Sequence, residues 1–169
     1  MPYTDWIPFV EQNIPQKNKL KLFEFGLGEG TKYLLDSFKE VFSFELADSD
    51  DWFKDTIRSL SSMPNWRYEM APFNHYDFYD YVPYIPELLR NKINSLFKEK
   101  FDVVFMDGGY HNRGQIANYV LNSFKPSFLI IHDINYAFKE DMYDQIVVPS
   151  GYDYLDYKEG EGTRIYRLL

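Results

Sequence analysis

Short apolar runs alternate along this chain with amphipathic stretches, and the two periodicities predict its elements. Residues 20–25 are largely apolar and end in a glycine cluster, which reads as a strand. Over residues 31–38 the apolar positions recur at helical spacing, with Thr31 placed as the N-cap. Residues 41–46 predict a second strand. The acidic Asp48, Asp50 and Asp51 then suit the start of a helix over about 52–60, where the helix dipole favours negative charge. Residues 66–70 form a weaker third strand pattern. A Tyr-rich loop over 71–84 is punctuated by Pro72 and Pro83, and Pro86 opens a helix running to about residue 98. A connector of that length is either functional or mobile.

Residues 101–106 predict a buried strand, 115–124 a helix and 128–132 another buried strand. Continuous apolar runs of this kind belong to strands covered on both faces, as in parallel sheets with helical crossovers. The last third differs. Residues 152–157 and 163–168 flank the turn-rich Lys158, Glu159, Gly160, Glu161 and Gly162, which predicts an antiparallel hairpin. The expected fold class is α/β, with a seven-stranded, mostly parallel, doubly wound sheet closed by that hairpin.

A length of 169 residues suits one domain spanning 1–169. With 45% hydrophobic and 26% charged residues, disordered and low-complexity classes drop out. Eighteen Lys plus Arg against 26 Asp plus Glu give a net charge of -8, which disfavours a nucleic-acid partner. Zero cysteines exclude disulfides, thiolate metal sites and a cysteine nucleophile. No secretory leader pattern and no long apolar run is present, so a soluble, cytoplasmic protein with no membrane partner is expected. Aromatics make up 20% of the chain, which means either a core of large side chains or a stacking surface.

The segment Glu24-Phe25-Gly26-Leu27-Gly28-Glu29-Gly30 lies between a predicted strand and a predicted helix, where glycine permits a sharp turn and close approach of a ligand. Glu45 follows at the end of the next strand, where a carboxylate can accept the hydroxyl protons of a ribose. The spacing G-x-G-x-G differs from the dinucleotide pattern G-x-G-x-x-G, and carboxylates at positions 24 and 29 would repel a pyrophosphate. They suit a ligand carrying an ammonium group. A plain glycine turn beside a surface glutamate is the structural alternative.

These residues resemble the class I S-adenosylmethionine-dependent methyltransferases, whose first motif is E/D-x-G-x-G-x-G and whose second is an acid ending strand two. The resemblance extends over nearly the whole chain and implies a Rossmann-like sheet. It also implies a cofactor site of Glu24, Phe25, Gly26, Gly28, Gly30, Glu45, Asp107 and Gly108. In that site Gly26, Gly28 and Gly30 would line the methionine part, Glu24 would hold the loop and the amino group, and Glu45 would bind the ribose.

Met106-Asp107-Gly108-Gly109-Tyr110-His111 follows the strand at 101–106, and His132-Asp133 ends the strand at 128–132. Four ionisable side chains, Asp107, His111, His132 and Asp133, thus converge on one rim as candidate catalytic groups. The pattern is similar to small-molecule O-methyltransferases with D-G-x-H and H-D motifs, from which D-G-G-Y-H departs by one residue. His111 or His132 could act as the base for an acceptor hydroxyl. Asp107 and Asp133 could instead hold a dication such as Mg2+ with waters or acceptor oxygens. Alternatively His132 orders a loop and Asp133 caps a following helix. Arg113 suits a carboxylate or phosphate, or is solvated; His75 reads as a surface histidine.

The expected function is S-adenosylmethionine-dependent methylation of a small-molecule acceptor at oxygen. The alternative is a non-catalytic protein of the same fold that binds S-adenosylmethionine or S-adenosylhomocysteine and acts through a partner. A nucleic-acid methyltransferase and a nicotinamide-dependent oxidoreductase are further rivals. At this length the site would be covered by residues 71–84 and 1–16, or by a partner subunit such as a second copy in a homo-oligomer.

Overall fold

The computed structural model describes residues 4–45, 51–71, 85–107, 112–135 and 143–169. In chain order the elements are α1 (Ile7–Asn13), β1 (Lys21–Phe25), α2 (Gly30–Ser37), β2 (Glu40–Glu45), α3 (Asp51–Leu60), β3 (Trp66–Met70), α4 (Glu87–Leu96), β4 (Val103–Met106), α5 (Arg113–Ser123), β5 (Phe128–His132), β6 (Tyr152–Tyr157) and β7 (Thr163–Leu168). The seven strands form one sheet in the order β3-β2-β1-β4-β5-β7-β6. The first five run parallel, and β7 is antiparallel to both β5 and β6. This is the expected architecture, with the hairpin completing the sheet.

Alternating strand residues feed two cores, as the period-2 pleat requires. One face carries Leu22, Val41, Val103, Phe105, Ile130 and Ile165, covered by Trp6, Val10 and Ile14 around α1, Leu34 and Leu35 of α2, and Leu60 of α3. The other carries Phe23, Phe25, Phe44, Val104, Met106 and Ile131, covered by α4 and α5 through Leu89, Ile93, Ile116 and Val120. Phe23 alone lies 4.7 to 5.5 Å, centroid to centroid, from Phe25, Phe42, Phe97 and Phe101. The aromatic bias therefore builds core. The closing hairpin is tied by two bidentate cross-strand pairs, Arg164 on Asp156 and Arg167 on Asp153.

Three local expectations change. The apolar pattern predicts no element before residue 20, yet α1 is there; it is seven residues long with a proline near its start, too short for periodicity to speak. Thr31 does not cap α2. The helix begins at Gly30 with Glu29 as N-cap residue and no side-chain cap, while the Thr31 hydroxyl turns inward to a buried carboxylate. Pro86 stands at the N-cap of α4, one residue before the helix, which ends at Leu96. The acidic loop at 48–50 and most of the Tyr-rich loop, including His75, lie outside the described residues. No helix among the described residues is long and apolar enough to cross a membrane.

Trp6 is the joint between the amino-terminal segment and the sheet. It is fully buried, 4.6 Å from the Phe105 ring and 5.3 Å, edge-on, from Tyr33. A Cβ on Gly30 would sit 2.8 Å from Trp6 Cζ2, so the glycine is what lets α2 and Trp6 close on each other. Gly30→Ala is expected to cost about 1–3 kcal/mol through overpacking. The cost should shrink in a Trp6→Phe background, which removes the clashing atom. Denaturant unfolding of the double-mutant cycle checks this, and additive costs would contradict the contact.

Candidate functional site

Strands β2, β1, β4 and β5 are neighbours in the sheet, and their carboxyl ends form one rim at the point where strand order reverses around β1. Open parallel sheets bind ligands there. Strand parity decides which side of the rim is polar. Glu24 shares the face of Leu22, Ser43 and Glu45 that of Val41, Asp107 that of Phe105, and His132 that of Ile130. All five therefore stand on the face covered by α1 and α2.

The glycine turn is held from below by Glu24, which is 2% exposed. Its carboxylate accepts hydrogen bonds from Thr31 Oγ1 at 2.9 Å and Ser43 Oγ at 2.5 Å. Thr31 Oγ1 in turn accepts the Gly28 N–H at 3.1 Å. Burial pushes the Glu24 pKa up to about 8, against the lowering effect of the Ser43 and Thr31 hydroxyls. Glu45 Oε2 accepts the Leu27 N–H at 2.8 Å, so the acid ending β2 touches the turn directly.

The three glycines do different work. Gly26 has φ +109, which only glycine adopts readily, and its N–H bonds Phe44 O. At Gly28 a Cβ would meet nothing within 4 Å, so this position opens onto free space. Gly30 faces Trp6. Phe25 is fully buried in the core, and its carbonyl accepts the Asp107 N–H at 3.0 Å. Its contribution to a ligand site is limited to main chain. Gly108, Tyr110 and His111 lie outside the described residues.

Beyond the turn, His132 is 1% exposed and is surrounded by acids. Nδ1 lies 3.0 Å from Asp107 Oδ1 and 3.3 Å from Asp133 Oδ1; Nε2 lies 2.9 Å from Asp5 Oδ1 and 3.5 Å from Glu161 Oε2. An ionised carboxylate only accepts, so carboxylates on both edges favour a ring that donates from both nitrogens, the imidazolium. Burial pulls its pKa down, but the hydrogen bond and charge of Asp107, the charge of Asp133 and the Asp5 hydrogen bond outweigh this and raise it to about 9. Burial in turn raises Asp107, and His132 only partly offsets it.

Several sequence expectations are corrected here. The carboxylates around His132 favour its protonated ring, which is at odds with the role of base. Asp133 sits at φ +64, a left-handed conformation, and its carboxylate meets His132 and, at 3.5 Å, Arg113 Nη1; no helix starts in the two described residues after it. Arg113 is buried, not solvated, and donates to the Tyr143 hydroxyl at 3.0 Å. Asp5, Glu161, Ser43 and Tyr143 carry no motif; only the placement of residues 1–16 over the site anticipates any of them, through Asp5.

Asp107, His132 and Asp133 offer donor atoms within 4.8 Å of one another. Two carboxylates fit the habit of magnesium, which keeps several waters and takes few protein ligands, whereas both His132 nitrogens already face carboxylates.

No protein-family model matches the chain, and no curated protein matches it. Solved structures do. A Podospora anserina methyltransferase solved with S-adenosylhomocysteine superposes with a TM-score of 0.62 at 10% identity, covering 88% of this chain and 71% of that one. A Staphylococcus aureus protein assigned as a caffeoyl-CoA O-methyltransferase gives 0.61 at 12%, covering 96% and 82%. The 23S rRNA methyltransferase ErmE gives 0.58 at 16%, covering 96% and 67%. The chain has the class I methyltransferase fold.

The Glu24 carboxyl ionises near 4.5 when unfolded and near 8 when folded, so folding takes up a proton between those values. Its stabilising contribution is complete below about pH 4.5 and is lost as pH rises through 8. Thermal melts of Glu24→Gln should therefore lose less stability than wild type between pH 5 and 8.5, by a few kcal/mol. Parallel pH dependences would contradict this.

Proposed function

We propose that the protein is an S-adenosylmethionine-dependent methyltransferase acting on a small-molecule acceptor at oxygen. The observation that carries this reading is the contact between Glu45 and the Leu27 amide, which sets a carboxylate beside the glycine turn at the switch point of the sheet. A carboxylate there is placed to accept ribose hydroxyl protons. Glu45 and Asp107 bring carboxylates to the turn, which repel a pyrophosphate and attract the ammonium and sulfonium of this cofactor, while the buried Glu24 supports the turn from below. Gly28 opens onto the space such a ligand would take.

Bound S-adenosylmethionine supplies an electrophilic methyl group, which an acceptor oxygen displaces in line, forming O–CH3 and breaking S–CH3 with S-adenosylhomocysteine as leaving group. The chain's part is to bind, orient and deprotonate. Asp107 ends β4 with its side chain 28% exposed, and burial raises its basicity, so it accepts the acceptor's proton. His132, already protonated, holds Asp107 in place rather than competing with it. A magnesium is the alternative to proton removal by Asp107: Asp107 and Asp133 would hold it with waters, and it would polarise the acceptor oxygen instead.

A small acceptor is favoured over RNA by the net charge of -8, since a phosphate-rich partner needs a basic footprint. A second reading has one observation in its favour: Asp5 and Glu161 already occupy the Nε2 side of His132, as in a binding protein whose acceptor rim is closed.

Calorimetry with S-adenosylhomocysteine separates these readings, with NADH as control. Wild type should bind the first and not the second, and Glu45→Ala should weaken binding at least tenfold, about 1.4 kcal/mol. Turnover of a methyl-labelled cofactor is then measured over acceptors bearing hydroxyl, carboxyl and amino groups. Absence of S-adenosylhomocysteine binding would overturn the cofactor; binding without turnover would establish the non-catalytic reading.

A further inference from the structure

The amino-terminal segment reaches the rim at one point. Asp5 lies just before α1, where Trp6 anchors the chain against Phe105 and Gly30. Its carboxylate is shared between two donors: Oδ1 accepts from His132 Nε2 at 2.9 Å and Oδ2 accepts the Glu161 N–H at 2.7 Å. The turn that supplies the second donor is shaped around it. Gly160, at φ +60, has no room for a Cβ because the Asp5 carboxylate fills that space. On the opposite edge of the imidazole, Nδ1 holds Asp107 Oδ1 at 3.0 Å.

A hydrogen-bonded series thus runs from the Glu161 amide through Asp5 and His132 to Asp107, joining four segments that are remote in sequence. The groups facing His132 are Asp5 from the amino-terminal segment, Asp107 just after β4, Asp133 just after β5 and Glu161 from the hairpin turn, with Arg113 of α5 behind Asp133 and the Trp6 ring 6.5 Å away. An imidazole pinned on one edge only can rotate about its own axis; pinned on both, it presents Nδ1–H in one direction. A carboxylate that must accept a proton in an in-line transfer has to be held in such a fixed geometry.

We propose that Asp5 is a positioning residue for methyl transfer: it holds the His132 ring at Nε2, so that Nδ1 fixes the Asp107 carboxylate at the acceptor end of β4. The proposal rests on the reading of Asp107 as the proton acceptor. The amino-terminal segment is then part of the active site rather than a cover over it.

The test uses the full chain labelled at histidine nitrogens and aspartate carboxyl carbons. The sequence has three histidines, so His132 is assigned by elimination with His75→Gln and His111→Gln. In Asp5→Ala the His132 ring loses its Nε2 partner, so the His132 ring-nitrogen resonances and the Asp107 carboxyl resonance should both move from their wild-type positions. Asp5→Asn, which preserves shape if the alanine variant fails to fold, has one acceptor oxygen for two donors and should show the same changes to a smaller extent. S-adenosylhomocysteine affinity should stay within about twofold in both variants, because the cofactor side is untouched. With an acceptor that wild type turns over, kcat should fall about tenfold at unchanged cofactor KM. Unchanged His132 and Asp107 resonances in the Asp5 variants would overturn the proposal. Failure of wild type to bind S-adenosylhomocysteine would instead overturn the cofactor reading and is seen independently of the ring spectra.

Discussion

A buried carboxylate under the glycine turn is the constraint on which the rest of this structure depends. Glu24 cannot be solvated where β1 places it, so it must be hydrogen-bonded, and the donors come from α2 and β2. Those bonds tie three consecutive elements at the base of the turn and fix where α2 begins. The same requirement explains why Thr31 faces inward instead of capping the helix: its hydroxyl joins the Gly28 amide to the carboxylate. Propensity at a helix start yields to the cost of an unpaired buried acid.

The acidic rim follows a second electrostatic rule. Asp5, Asp107, Asp133 and Glu161 gather around a single imidazole, and only Arg113 adds another described cation in direct contact with the group. Four carboxylates this close are tolerable because His132 stays protonated and shares its two donors between opposite sides. Function and stability meet at this point. On the proposed reading, the histidine that organises the cluster leaves the role of base to the acid beside it, whose carboxyl pKa burial raises.

Trp6 links the two ends of the site. It lies against the third glycine of the turn on one side and approaches His132 on the other, while Asp5, one residue earlier, bonds the imidazole directly. A seven-residue helix has little intrinsic stability and stands here because Trp6, Val10 and Ile14 are buried against the sheet. The amino-terminal segment therefore contributes the packing of one half of the site and a charge to the other.

The strands at 66–70, 128–132, 152–157 and 163–168 coincide with the predicted ones, and the switch from continuous apolar runs to a turn-flanked pair marked where the sheet turns antiparallel. The glycine turn and Glu45 were legible for the same reason: they sit at strand ends, where local periodicity fixes position. Asp5 and Glu161 were not legible, because nothing local distinguishes them from solvated acids; they become site residues only when α1 folds over β5 and the hairpin turn arrives beside it. His132 was visible as a rim residue, but its protonation was not, since that depends on four carboxylates brought from four places. The sequence by itself determined the order of elements from residue 20 onward and the acidic glycine turn, because these follow from local periodicity and turn chemistry. Tertiary structure alone decided which acids surround which base, because charge and burial act through space between segments up to 156 residues apart.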